Sequence, residues 1–264
     1  MSQPAKRELF LFLFRATGAR FGVRAALLLA LLLSVTLAVV AATAAARGRS
    51  AALVIVGLTA EVLAWGPGML LAFTVGLRAL AIDSETGLLS LPLSRGVSRR
   101  DFVLARIAAL AAWLVIATAL GSVIVMVAAA SSARGAALSL ELLQTGLAAS
   151  LQCLAFSAVM AALVFATLAP RSRGRGYLTL VLALAGPELL RVALLGLAPA
   201  EPLAQAMAIP SAFSALRRGL SPGSVDVALV LTAAAALGVV VVVAITAARH
   251  SAGTALRVFR EPRP

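Results

Sequence analysis

Residues 25–46 read AALLLALLLSVTLAVVAATAAA. The run carries no charge, no Gly and no Pro. At about 1.5 Å of rise per residue a helix of this length reaches about 33 Å, enough to cross a hydrocarbon core. Basic residues precede it (Lys6, Arg7, Arg15, Arg20 and Arg24) and an Ala-rich end leads to Arg47. A secretory signal has the same order of parts, but its apolar region is shorter. The run is expected to be a retained first span, with a cleaved signal as the alternative.

The rest of the chain has the same character. Of its 264 residues 62% are hydrophobic and 12% charged, with a mean hydropathy of +1.04. Soluble domains sit nearer about 45–50% apolar and about 25% charged. Six stretches reach membrane length, approximately 25–46, 53–79, 105–129, 145–169, 177–198 and 226–248. Between them lie ARGRS at 46–50, a charged loop at 81–101, SSARG at 131–135, PRSRGRG at 170–176 and a Pro-rich segment from Pro199 to Ser224. The expected fold is an all-α polytopic membrane protein of six transmembrane helices in a single domain, 1–264. Residues 1–24 form an amino-terminal interfacial helix, 25–248 the bundle, and 249–264 a basic cytoplasmic tail.

The net charge is +13. In a soluble protein that would suggest nucleic acid. Here the arginines gather at the ends of apolar runs, so membrane topology accounts for them and no nucleic acid partner is expected. With both termini cytoplasmic, 17 of the 23 basic residues fall inside. Arg47, Arg49, Arg134, Arg191, Arg217 and Arg218 remain outside or in the outer half. The single Cys and single His exclude an internal disulfide and the usual Cys/His metal site.

This orientation turns the loop AIDSETGLLSLPLSRGVSRRD (81–101) to the cytoplasm. Asp83 and Glu85 precede an apolar centre of Leu88, Leu89 and Leu91, where acidic residues favour a helix start. Pro92 then disfavours helix at Leu91. Ser98-Arg99-Arg100-Asp101 fits a capping box, with Ser98 as N-cap, and begins the third span. The loop reads as a short cytoplasmic helix with apolar residues showing, or as a hairpin connection whose leucines lie on membrane or neighbouring helices.

The stretch ETGLLSLPLSRGVSRRDFVLAR resembles the first cytoplasmic loop of ABC-transporter permeases of the type-2 exporter class. Glu85, Gly87, Leu88, Leu89, Leu91, Pro92, Ser94, Arg95, Arg99 and Arg100 follow the family order, although the chain is a few residues shorter than usual between Gly87 and Pro92. IPSAFSALRRGLSP (209–222), with Pro210, Phe213, Leu216, Arg217 and Gly219, resembles the family's outer segment before the last span.

The resemblance implies a permease dimer, of like or unlike copies, with an ABC ATPase subunit on its inner face. Glu85, Gly87, Leu88, Leu89, Leu91, Pro92 and Arg95 would form the ATPase-coupling element, and the membrane would be a bacterial inner (plasma) membrane. ATP and Mg would be bound by the partner ATPase, with no cofactor in this chain. Consistent with that, a P-loop needs Lys followed by Ser or Thr. The only lysine, Lys6, is followed by Arg7, so the chain is not expected to be an enzyme.

Three ionisable residues are expected inside the membrane. Glu61 is placed about a turn from the outer end of the second span, beside Trp65 and a Gly66-Pro67-Gly68 break. Glu188 and Arg191 follow Gly186-Pro187 in the fifth. All three are candidates for a substrate path or gate. Glu188 and Arg191, spaced i, i+3, also suit a mutually neutralising pair. Rival readings are a haem-export-type permease of cytochrome c maturation, a non-transporting assembly subunit, and an intramembrane serine protease using Ser157 and His250.

Overall fold

The computed structural model describes residues 3–76, 98–167, 173–195, 208–221 and 225–258. Every regular element among them is helical: α1 (Gln3–Gly18), α2 (Phe21–Arg47), α3 (Arg49–Leu63), a π-helical turn (Ala64–Gly68), α4 (Met69–Gly76), α5 (Arg99–Ser131), α6 (Ala136–Thr167), α7 (Arg173–Leu195), α8 (Ile209–Gly219) and α9 (Val227–Val258). Six helical segments are long and apolar enough to cross a membrane: Phe21–Arg47, Ala51–Gly76, Arg100–Ser131, Ala136–Thr167, Arg175–Ala193 and Val227–His250. The chain is an all-α integral membrane protein, as its composition predicts.

The packing is that of helices in lipid, where close approach replaces the hydrophobic effect as the driving force. The buried face of α2 carries Val23, Ala26, Ala30, Ser34, Ala38, Ala41 and Ala45. Its large residues, among them Leu28, Leu32, Val35 and Val39, face outward. Small residues inside and large ones outside let backbones meet. A methyl group at Gly121 would collide with Ser34, and one at Gly146 with Met126.

Helix α6 is the hub. Within its most apolar window 72% of residues are buried, against 17% in the fifth and sixth spans, which are therefore peripheral. Residues Val159 to Thr167 are buried on every side. The helix starts at Ala136, earlier than the expected 145, because AALSLELLQ is rich in good helix formers and its one acid does not interrupt them.

Neither proline breaks its span. Pro67 has no N–H and would clash with the carbonyl four residues back, and a widened π turn absorbs it. Pro187 lies inside a continuous α7.

The expected N-cap of the third span is present. Ser98 is the N-cap of α5, its Oγ accepting from the Asp101 N–H at 3.1 Å and donating to Asp101 Oδ2 at 2.8 Å.

Helix α1 does more than lie on a surface. Leu9 and Leu13 pack on Phe102 and Ala109 of α5. Phe14 stacks on Trp113 with centroids 4.3 Å apart, and the indole N–H donates to the Phe14 carbonyl at 3.0 Å. Gly18 gives Trp113 its room. Arg106 is buried beside this seat. It donates to Thr17 Oγ1 at 3.0 Å and lies 6.0 Å from the Phe102 ring centroid.

Candidate functional site

Two pairs of contacts set the register around α6. A methyl built on Gly57 would lie 3.8 Å from Thr145, and one on Gly68 would lie 3.0 Å from Phe156. Both partners advance eleven residues between the two contacts, so the second span and α6 run parallel. Phe156 also meets the Phe213 ring of α8 at 5.7 Å. Four residues on, Arg217 reaches Gly57 and Glu61, back toward the start of α6. Helix α8 thus runs opposite to α6: it starts inside the bundle and rises toward the end at which α6 begins. Its buried stripe, Ile209, Ala212, Phe213 and Leu216, has helical spacing. The Pro-rich stretch expected to be an outer connection therefore contains a helix embedded in the bundle.

An elbow joins α8 to the sixth span. The Asp226 N–H donates to the Gly219 carbonyl at 3.0 Å, and Asp226 Oδ1 caps α9 by accepting from the Leu229 N–H at 3.0 Å. Gly219 packs against the backbone of Asp226 and Val230.

This arrangement decides the setting of Glu61. Helix α3 begins at Arg49, so Glu61 lies about 18 Å along its axis, deep in the span rather than a turn from its end. Its Oε1 accepts from Arg217 Nη2 at 2.8 Å. Arg217 Nη1 donates to the Gly57 carbonyl at 3.0 Å, an approach that the missing side chain of Gly57 permits. The pair is only partly covered, with 21% of the Arg217 side chain and 33% of the Glu61 side chain exposed. Trp65, one turn further, is 37% exposed and meets Phe156 edge-on at 5.6 Å.

Arg217 is the site residue that the sequence reading placed among outer charges. Its signal was available: it lies four residues after Phe213, and so on the same side of the helix. Gln152, four residues before Phe156 on α6, is buried with its Oε1 unpartnered, as is Arg217 Nε.

No family model matches this chain, and no curated protein matches it.

Glu188 and Arg191 do pair along α7. Arg191 Nε donates to Glu188 Oε1 at 2.9 Å, and Arg191 Nη2 shares the same oxygen. The structure does not join this pair to Glu61, which has Arg217 instead. The coupling residues Glu85, Gly87, Leu88, Leu89, Leu91, Pro92 and Arg95 lie outside the described residues. Ser157 is fully buried, donates to the Cys153 carbonyl at 2.8 Å and lies 3.4 Å from Thr118. His250 is exposed on α9, and the two are not brought together. Among the described residues no group of three His, Cys, Asp or Glu side chains suits a metal ion.

Proposed function

We propose that this chain is the transmembrane subunit of an ATP-driven exporter of the ABC type, which it resembles in its 84–100 loop. The observation that carries the reading is the partly exposed Glu61–Arg217 pair deep in the second span. Ionised groups at that depth are costly against lipid and are normally turned to a bundle interior or a water-filled path. Helix α8, embedded beside them, is non-spanning structure at membrane depth, which is tolerated where it is covered by protein or lines a cavity. A polar path walled by spans two and four and by α8 accounts for both.

In this reading both termini are cytoplasmic, α1 lies at the inner interface and the membrane is a bacterial inner membrane. Two copies, like or unlike, each receive a separate ATPase that holds ATP and Mg. Leu88, Leu89 and Leu91 form the apolar centre of the docking loop, with Glu85 and Arg95 at its rim and Gly87 and Pro92 shaping it. Glu188 and Arg191 serve α7 as a neutralised pair.

Affinity purification of the chain from its native membrane tests the reading. An ATPase subunit should co-purify with wild type and be lost with Leu89→Asp, while the melting temperature of the permease stays unchanged. Normal co-purification with Leu89→Asp would reduce the loop to a connector. Reporters fused after Pro264 and within 200–210 should report opposite sides, and same-side signals would remove the topology.

A further inference from the structure

We propose that the exposed face of the second span at Glu61 and Trp65, where it borders the polar path, is a binding position for a hydrophobic organic cation. The proposal deepens the exporter reading and names the chemical class of its cargo.

Three observations converge on one stretch of helix. First, the ion pair leaves the carboxylate as the more available partner. Arg217 spends Nη1 on the Gly57 carbonyl and Nη2 on Glu61 Oε1, and its Nε is buried. Glu61 uses one oxygen in that pair and is the more exposed of the two side chains, at 33% against 21%. A second positive group therefore meets the more exposed carboxylate, whereas the Arg217 Nε–H, which has no partner, is buried away from an approaching negative group.

Second, Trp65 follows one turn along the same helix and is 37% exposed. An indole beside a carboxylate attracts a poorly hydrated cation through the ring quadrupole, and does so more strongly where water is scarce.

Third, the surface around the two is apolar and has room. Leu58, Val62 and Leu70 are exposed along the same span, and nothing lies within 4 Å of a methyl group built on Gly66. The π turn that carries Trp65 and Gly66 widens the helix here, a feature often found at functional sites. A bulky apolar body with a buried positive centre fits this surface. A small hydrated cation does not, because it would lose its water without gaining contact.

Tetraphenylphosphonium and tetraphenylborate serve as probes, since they share shape and apolar area and differ in sign of charge. The chain has two tryptophans, so Trp113→Phe leaves Trp65 as sole reporter in the full-length protein, held in nanodiscs of zwitterionic lipid. Tetraphenylphosphonium should change Trp65 emission saturably, and tetraphenylborate should not. Glu61→Gln, which keeps an acceptor for Arg217, should weaken the cation's apparent affinity about tenfold, the effect of removing one well-placed charge contact. Saturation by the anion instead would make Arg217 the receptor and overturn the proposal. Equal, non-saturating responses to both ions, or an unchanged affinity in Glu61→Gln, would reduce it to partitioning.

If either variant fails to fold, the native chain is read by melting temperature. The cation should raise it, and Trp65→Leu should diminish the rise. An undiminished rise overturns the proposal. No ATPase takes part, so failure here leaves the exporter reading to its own test.

Discussion

Arg217, on a short helix late in the chain, bonds Glu61 of the second span across 156 residues of sequence at 2.8 Å. This bond adds to the apolar stripe of α8, the Arg217–Gly57 hydrogen bond and the elbow at Gly219 and Asp226 in holding that helix. The pair therefore couples the segment before the last span to the middle of the second.

Removing one partner should cost more than removing both. Glu61→Ala leaves the guanidinium without its counter-ion, and Arg217→Ala leaves the carboxylate, each at an expected cost of about 2 kcal/mol, reduced by partial exposure from the range for fully buried pairs. The double variant should melt above the lower of the two singles. Strict additivity in the cycle would mean that the two residues act independently.

Gly57 is expected to be tied to the same bond. A methyl there would lie 2.9 Å from Arg217 Nη1, so Gly57→Ala should push the guanidinium off the Gly57 carbonyl and cost about 1 kcal/mol. In an Arg217→Ala background the same change should be nearly silent. An equal loss in both backgrounds would point to helix packing instead.

The seat of α1 on α5 depends on the space at Gly18. Gly18→Val should collide with the Trp113 ring, unstack it from Phe14 and release the Trp113 N–H from the Phe14 carbonyl. Limited proteolysis should then cut within α1 while the bundle stays intact, and Trp113 emission should change. Unchanged protease resistance would show that Leu9 and Leu13 suffice to anchor the helix.

Glu188 and Arg191 should behave as a self-contained pair. Glu188 Oε2 already lacks a partner, so Arg191→Ala would strip the carboxylate of its remaining bonds, at about 1 kcal/mol, the low end of the range for an unsatisfied group because the side chain is partly exposed. Changing both to Ala should recover much of that loss in thermal melting. A double variant worse than either single would give the residues separate tasks.

Spans, caps and the i, i+3 pair were legible because they are local. The run at 25–46 needs only its own length and composition to be a membrane helix. Ser98 needs only Asp101 three residues away, and Glu188 only Arg191. The apolar stripe of α8 was legible too, but its depth was not, since an amphipathic helix reads the same on a surface as inside a bundle. The burial of Arg106 was not legible for a related reason: it depends on Thr17 of α1, 89 residues away, which accepts its hydrogen bond.

By itself, the sequence determined that six of its segments are helices apolar enough to cross a membrane, and which charges interrupt them. Those features follow from hydrogen bonds and transfer energies that each segment satisfies alone. Only the tertiary structure decided that Arg217 is the partner of Glu61 and that α6 is the hub. Those facts rest on which small residues let two backbones approach, as Gly57 does for Arg217 and Gly68 for Phe156. Close packing between distant segments is a property of pairs of surfaces, and no single stretch of chain carries it.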